Sequence, residues 1–167
     1  MKRLTHNTEV VGQTILSVIK GMAGFEARGY EILKKYGIES IKEDGWYPAQ
    51  AWIDALKDIA DEIGQNTLKA IGMKIIESAQ WPPDVKTVEA GLASIDVAYH
   101  MNHRINGVVL FDPATGTMTE GIGHYAFKKL GEKEFEIICD HPYPCDMDKG
   151  IIKGVVEHFK AVGQKAD

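Results

Sequence analysis

The sequence has few cysteines, no long apolar run and no extended basic cluster. Its 167 residues include only two cysteines, Cys139 and Cys145. This is too few for the disulfide framework of a small secreted domain and is compatible with a reducing compartment. The basic start is not followed by the uninterrupted apolar core of a signal peptide, and no apolar run approaches the length of a membrane span. We therefore expect a cytoplasmic protein without a membrane span.

The charge balance of the chain is acidic. Asp and Glu number 24 against 19 for Lys and Arg, which gives a formal net charge of −5. No basic cluster is longer than the pairs Lys34-Lys35 and Lys128-Lys129. A chain with this charge repels phosphate backbones, so we expect no nucleic-acid partner.

Length and composition favour one ordinary hydrophobic core. Hydrophobic residues make up 44% of the chain and charged residues 26%, a balance that is neither disordered nor fibrous. A chain of this length buries about two-thirds of its unfolded surface, which supports one core without a disulfide or a structural metal. We therefore expect a single domain over residues 1–167, and we expect it to be a ligand-binding domain.

Apolar residues recur at helical spacing through the first two-thirds of the chain. Gly37, Gly64 and the segment Trp81-Pro82-Pro83 mark points where helices end. The longest predicted helix begins with Asp84 as its cap and keeps the three-four spacing as far as about His103. The predicted helices cover residues 8–22, 25–36, 48–63, 67–79 and 84–103.

The pattern then changes to short extended segments separated by turns. These segments lie near Val108–Phe111, Thr117–Phe127 and Phe135–Cys139, and they predict a three-stranded antiparallel meander. The expected fold class is α+β, with N-terminal helices packed on a short antiparallel β-meander and a C-terminal helix.

The C-terminal helix is predicted to begin at Asp146 or Asp148. Gly150 and Gly154 share one face of it, where another backbone can approach closely. Residues 163–167 are expected to form a frayed tail.

No phosphate-binding glycine loop, nucleophile elbow or zinc-protease motif is present. Three weaker clusters of side chains are the remaining candidates for a functional site. In the first, Asp96, His100 and His103 are spaced i, i+4, i+7 and so share a helix face beside Tyr99. Such a face could hold a metal, or His103 could be the axial ligand of a haem. The alternative is a solvated pair of Asp96 and His100, with His103 near the helix C-terminus.

The second cluster is the corner Cys139-Asp140-His141-Pro142-Tyr143-Pro144-Cys145. Zinc accepts both thiols and the imidazole, and the dipole at a helix N-terminus stabilises a thiolate. The sequence therefore predicts a metal site formed by Cys139, His141 and Cys145. The alternative is a buried Cys139 with a partly exposed, moderately reactive Cys145.

The third cluster is aromatic, and its members could line a cavity between helices and sheet. The alternative is that most of them are ordinary core residues. The predicted contacts to a bound small molecule, such as a tetrapyrrole, are Trp52, Tyr99, His103 and Phe127.

Two stretches resemble a known superfamily. One runs from Trp46-Tyr47-Pro48 through Ile63-Gly64 to Ile71-Gly72, and the other runs from His141-Pro142-Tyr143-Pro144-Cys145 into the helix at Gly150. They resemble the superfamily of 4-vinyl reductase domains, haem nitric-oxide/oxygen-binding domains and TRAPP transport-particle subunits. The resemblance implies an α+β ligand-binding fold with an apolar pocket, often sensory and often dimeric. The Tyr-x-Ser-x-Arg clamp of the haem-binding members is absent from this sequence.

Three functions follow from these observations. The first is a sensory or binding domain for a small apolar molecule, of tetrapyrrole or lipid-like type, rather than an enzyme, and no catalytic residue is assigned. The second is a zinc- or thiol-dependent enzyme that uses Cys139, His141 and Cys145. The third is a homodimeric interaction module in which Gly150 and Gly154 permit a close helix pair.

Overall fold

Short strands and helices are interspersed along the chain. The structure is a computed structural model that describes residues 3–5 and 7–165. Its strands are β1 (Thr8–Val11), β2 (Trp46–Pro48), β3 (His103–Ile105), β4 (Val108–Val109), β5 (Phe111–Asp112), β6 (Thr117–Met118), β7 (His124–Lys129) and β8 (Phe135–Asp140). Its helices are α1 (Gly12–Lys20), α2 (Glu26–Lys35), α3 (Ala49–Ile63), α4 (Gln65–Ser78), α5 (Val88–Ala93), α6 (Ile95–Met101) and α7 (Cys145–Lys165). The expected α+β class with a C-terminal helix is confirmed.

All pairings between these strands are antiparallel, but they are divided over three small sheets. One sheet has the order β2-β1-β3-β4, and the hairpins β5–β6 and β7–β8 form the other two. The predicted strand near residues 117–127 is therefore two strands, β6 and β7, which belong to different hairpins. Gly123, with φ of +81°, lies just before β7, where a Cβ atom would overlap the carbonyl oxygen of Asp140.

Residues 8–11 were predicted to be helical, and that prediction is wrong. They form β1, which is the inner strand between β2 and β3, with Val10 opposite Tyr47 and His103. Val10 is fully buried. Strand pairing and burial of β-branched side chains prevail here over the helical spacing that continues into α1.

The long helix predicted over residues 84–103 is also wrong in its extent. The structure has two short helices, α5 and α6, which are separated by Ser94. Ser94 Oγ donates to the carbonyl oxygen of Gly91 over 2.8 Å, and such back-bonding bends helices. The N-cap is Thr87, whose side chain accepts from the Ala90 amide, and His103 begins β3.

Helix α7 packs along α4, and glycines set the distance between them. A Cβ atom on Gly150 would overlap the carbonyl oxygen of Lys69, and one on Gly72 would overlap that of Met147. A Cβ atom on Gly154 would lie 3.1 Å from Met73 Cα. The close approach predicted for Gly150 and Gly154 therefore occurs within the chain, so this face is not available to a second copy.

The C-terminal tail differs from its prediction as well. Helix α7 continues to Lys165, so residues 163–165 are helical rather than frayed. Residues 166 and 167 lie outside the described part of the chain, as do Met1, Lys2 and His6.

The hydrophobic core is one cluster that extends from Val10 to Phe159. It includes the predicted face of α3, where Trp52, Leu56 and Ile59 are fully buried. Within the described ranges, no helix is long and apolar enough to cross a membrane.

Candidate functional site

A buried group of tyrosines and histidines lies where α6, β3, β7 and the loop before α7 meet. Tyr99 is at its centre, with its ring centroid 4.7 to 5.9 Å from five other rings. These are the rings of His100, His103, Tyr125, His141 and Tyr143. Four of the six histidines in the sequence lie in or beside this group, which makes it the chemically richest part of the structure.

His103 is held rigidly within this group. Its Nδ1 contacts the carbonyl oxygen of Tyr99 over 2.7 Å, and its Nε2 contacts the hydroxyl of Tyr143 over 2.6 Å. Nδ1 therefore carries the ring hydrogen and Nε2 accepts from Tyr143. Burial lowers the pKa of His103 to about 4. Both nitrogens are engaged within the protein, so an axial bond to haem would require the Tyr143 hydrogen bond to break.

Two of the three residues predicted to bind a metal, Cys139 and His141, lie close together in the structure, and Asp148 lies beside them. Cys139, His141 and Asp148 each offer a ligand atom, and these atoms all lie within 4.8 Å of one another. Cys139 is the penultimate residue of β8, His141 lies in the following loop, and Asp148 lies in the first turn of α7. Cys145 is exposed and is not part of this group.

Two polar atoms in this corner lack hydrogen-bond partners among the described residues. They are His141 Nε2 and Asp148 Oδ2, and both side chains are almost completely buried. His141 Nε2 lies 3.7 Å from Asp148 Oδ1, which is too long for a hydrogen bond. Asp148 Oδ1 instead accepts from the hydroxyl of Tyr125 over 2.7 Å. Unpartnered buried polar atoms are costly and call for an explanation.

Burial shifts all three groups of the corner towards their uncharged forms. It raises the pKa of the Cys139 thiol to about 11 and lowers the pKa of His141 to about 4. It also raises the pKa of Asp148 to about 7, against the lowering effect of the Tyr125 hydrogen bond. The His141–Asp148 contact is therefore not a normal ion pair, because at neutral pH the imidazole is uncharged.

A second group of ligand-type side chains includes Asp96, whose carboxylate accepts from the Tyr125 amide. Asp96 and His100 from α6 meet His124 at the start of β7, again with ligand atoms within 4.8 Å of one another. His124 Nδ1 contacts Asp96 Oδ2 over 2.9 Å, and its Nε2 contacts Glu120 Oε2 over 2.7 Å. These two carboxylates, Asp96 first, raise the pKa of His124.

The first predicted cluster is therefore only partly assembled. Asp96 and His100 are neighbours, as their i, i+4 spacing indicated, but the His103 side chain faces Tyr143 instead. His124, which is distant in sequence, lies beside Asp96 and His100 where His103 was expected. The only sequence signal for His124 is its i, i+4 spacing from Glu120, and nothing in the sequence indicated that β7 packs against α6.

The four residues predicted to contact a small molecule are dispersed. Tyr99 and His103 are in ring contact, whereas Phe127 stacks on Phe135 in the β7–β8 hairpin. Trp52 is fully buried in α3, and its Nε1 has no hydrogen-bond partner in the described part of the chain. One surface cleft lies between α1 and α4 and another lies beside Leu68 and Pro144, and neither is lined by any of these four residues.

Comparison with known proteins does not add to this picture. No family model, no curated protein and no solved structure matches the chain. The resemblance to 4-vinyl reductase and haem-binding domains therefore stays a prediction.

Proposed function

We propose that this chain is a metal-binding domain that holds a divalent transition metal of the zinc type through Cys139, His141 and Asp148. The observation that carries the proposal is the pair of buried atoms without partners, His141 Nε2 and Asp148 Oδ2, beside a thiol. A cation between these atoms would satisfy both of them at once. Thiolate, imidazole and carboxylate are the three ligand types that zinc takes in proteins.

The electrostatics of the corner support the same proposal. Without a cation, burial disfavours the thiolate of Cys139 and the carboxylate of Asp148, as their raised pKa values indicate. A divalent cation offsets that cost, because it attracts both anions. We therefore expect metal binding to release protons from Cys139 and Asp148.

The ring hydrogen of His141 has to move from Nε2 to Nδ1 before Nε2 can bind a metal. The amide of Tyr143 donates to His141 Nδ1 over 3.3 Å, which places the ring hydrogen of the neutral imidazole on Nε2. Coordination requires the hydrogen on Nδ1 instead. The bond given up is long for an N–H donor, so its loss is a small cost beside a metal–nitrogen bond.

The proposed site would connect the end of β8 to the first turn of α7. Three protein ligands leave one position of a zinc tetrahedron open to water or to another side chain. Cys145 precedes Asp148 by three residues on the same helix and so lies on the same face. It is exposed at present, so a rotation of its side chain would have to bring it to the open position.

Binding of a small molecule is the second candidate function. The observation that favours it is Trp52 Nε1, a buried donor without a partner among residues 3–5 and 7–165. A ligand acceptor at that position would satisfy it. The measurement below also tests this candidate, because an organic ligand would increase the native mass by more than a metal does.

The test is metal analysis of the purified chain by native mass spectrometry, with elemental analysis of the same sample. We expect the chain to bind zinc, and we expect one zinc ion per chain to be lost in Cys139→Ser and in Asp148→Asn. The asparagine side chain keeps an oxygen acceptor for the Tyr125 hydroxyl, so the fold is preserved. Cys145→Ser is the matched control and should retain the metal.

Two results would contradict the proposal. One is a chain that takes up no zinc even after incubation with the free ion. The other is zinc content that persists unchanged in both Cys139→Ser and Asp148→Asn. Zinc lost in Cys145→Ser would instead mean that the exposed thiol rotates to complete the site.

A further inference from the structure

His100 presents a ring nitrogen that the rest of the structure does not use. The side chain is completely buried, and its Nδ1 contacts the carbonyl oxygen of Asp96 over 2.8 Å. Since a carbonyl oxygen only accepts, Nδ1 carries a hydrogen, and in the neutral tautomer Nε2 then carries the lone pair. Nε2 has no hydrogen-bond partner within the described ranges. This is the tautomer, fixed by a backbone carbonyl, in which metal-binding histidines are usually held.

The side chains around His100 are those of a cation site. The His124 ring lies against it, with centroids 5.1 Å apart and planes tilted by 30°. Asp96 joins the two histidines, because its carboxylate contacts His124 and its backbone carbonyl orients His100. Glu120 closes the outer side through its contact with His124 Nε2.

Asp96 is itself held in place for this role. The amide of Tyr125 donates to Asp96 Oδ1 over 2.8 Å, which fixes the carboxylate and leaves Oδ2 directed at His124. A carboxylate oriented by a backbone amide needs little rearrangement when it binds a cation.

We infer that Asp96, His100 and His124, with Glu120 at the rim, form a second divalent-cation site, made of nitrogen and oxygen ligands only. Two imidazoles with carboxylates suit zinc, cobalt and similar ions. In the metal-free chain the His124 ring contacts the two carboxylates. The incoming cation takes the place of the ring hydrogen between His124 and Asp96, and that hydrogen leaves as a proton.

The second site is independent of the Cys139 corner in its ligands but adjacent to it through one residue. Tyr125 donates its amide hydrogen to Asp96 and its hydroxyl hydrogen to Asp148. Tyr125 would thus connect the ligands of the two proposed cations. The inference does not rest on the proposed function, because no residue is shared between the two ligand sets.

The test is a titration of the full chain with Co²⁺, followed by equilibrium dialysis and optical absorption. Cobalt shows an intense thiolate-to-metal band only with a cysteine ligand, so the band reports the Cys139 corner alone. We expect two equivalents per chain, one of which gives the band. His124→Gln should bind one equivalent and keep the band, whereas the matched control His158→Gln should bind two.

A second variant tests the same site at a residue whose substitution is not expected to cause a folding defect. The Glu120 side chain is 76% exposed, so Glu120→Gln is not expected to disturb the fold. We expect it to weaken binding of the band-free equivalent by roughly tenfold, which is the usual effect of removing a supporting group.

The outcomes separate this inference from the proposed function. One band-free equivalent that is lost in His124→Gln supports the second site even if the Cys139 corner binds nothing. The inference is overturned if every bound equivalent gives the band, or if the band-free equivalent is unchanged in both His124→Gln and Glu120→Gln. Absence of any bound cobalt would overturn both proposals.

Discussion

Tyr125 shows how much one residue can organise at this site. Its amide and its hydroxyl each orient a different aspartate, Asp96 and Asp148, and its ring lies 4.2 Å from that of His141. Burial, with the nearby Asp148 charge, raises the pKa of the Tyr125 hydroxyl well above its usual value. The hydroxyl therefore stays protonated and acts only as a donor to Asp148 near neutral pH.

His103 makes a prediction about stability in acid. Its pKa is about 4 in the folded chain, against about 6.5 when exposed. The unfolded state therefore binds a proton first as the pH falls. The stability that His103 contributes is complete above pH 6.5 and is lost progressively between pH 6.5 and 4, by an amount on the order of 3 kcal/mol.

The measurement is the free energy of unfolding by urea at several pH values between 4 and 7.5. His103→Gln should be less stable than the parent at pH 7.5, because Tyr143 and Tyr99 lose their partner, but its stability should fall less steeply in acid. His158→Gln, which changes a histidine outside the buried group, should keep the parental slope. An unaltered slope in His103→Gln would contradict the prediction.

At the scale of elements, the sequence predicted what depends on local periodicity and missed what depends on pairing. Helices α2 and α3 are close to their predicted bounds, because an amphipathic stripe and a terminal glycine are both local signals. Strand β1 was missed because its partners β2 and β3 are remote in sequence. The break at Ser94 was missed because the apolar spacing continues across it from α5 to α6.

The same distinction explains the candidate site. Cys139 and His141 are two residues apart and were predicted to lie together, and they do so. Asp148 was considered only as a helix start, although its position in the first turn of α7 directs it back towards that loop. His124 could not have been predicted, since its contact with α6 depends on how β7 packs in three dimensions.

The packing of α4 against α7 makes a prediction at the scale of elements. Gly150→Ala would place a methyl group against the backbone of α4 at Lys69. Overpacking of this kind costs about 1–3 kcal/mol, and the better helix propensity of alanine offsets about 1 kcal/mol. We expect a net loss of stability, measured as a lower thermal midpoint.

Gly131→Ala is the matched control for this substitution. Gly131 lies in the turn between β7 and β8, where a Cβ atom would make only ordinary contacts at 3.6 Å or more. Its thermal midpoint should stay within error of the parent. If Gly150→Ala unfolded at the same temperature as the parent, α4 and α7 would have to tolerate a wider separation than the structure has.

At the scale of the whole molecule, both candidate sites lie where distant parts of the chain meet. The Cys139 corner connects the β7–β8 hairpin to α7, which in turn packs along α4 and α5. The site of Asp96, His100 and His124 connects α6 to β7 and to the loop that carries Glu120. A cation at either place would therefore restrain the assembled fold rather than a single loop.

Removal of metal is consequently predicted to destabilise the whole chain. A ligand that binds only the folded state stabilises it by about 2.7 kcal/mol when its free concentration is roughly 100 times its dissociation constant. For a chain of this size, each kcal/mol shifts the thermal midpoint by about 2–4 °C. Addition of a chelator to the zinc-loaded parent should therefore lower the midpoint by roughly 5–10 °C for each site that is emptied.

A double variant, Asp148→Asn with His124→Gln, provides the comparison because it changes one ligand of each proposed site. Its midpoint should be the same with zinc and with chelator, since it has no complete site to fill. The single variants should each show part of the parental shift in midpoint. Asp148→Asn should keep the part that comes from metal bound by Asp96, His100 and His124. A parental midpoint that does not respond to the chelator would mean that bound metal, where present, contributes nothing to holding β8 and α7 together.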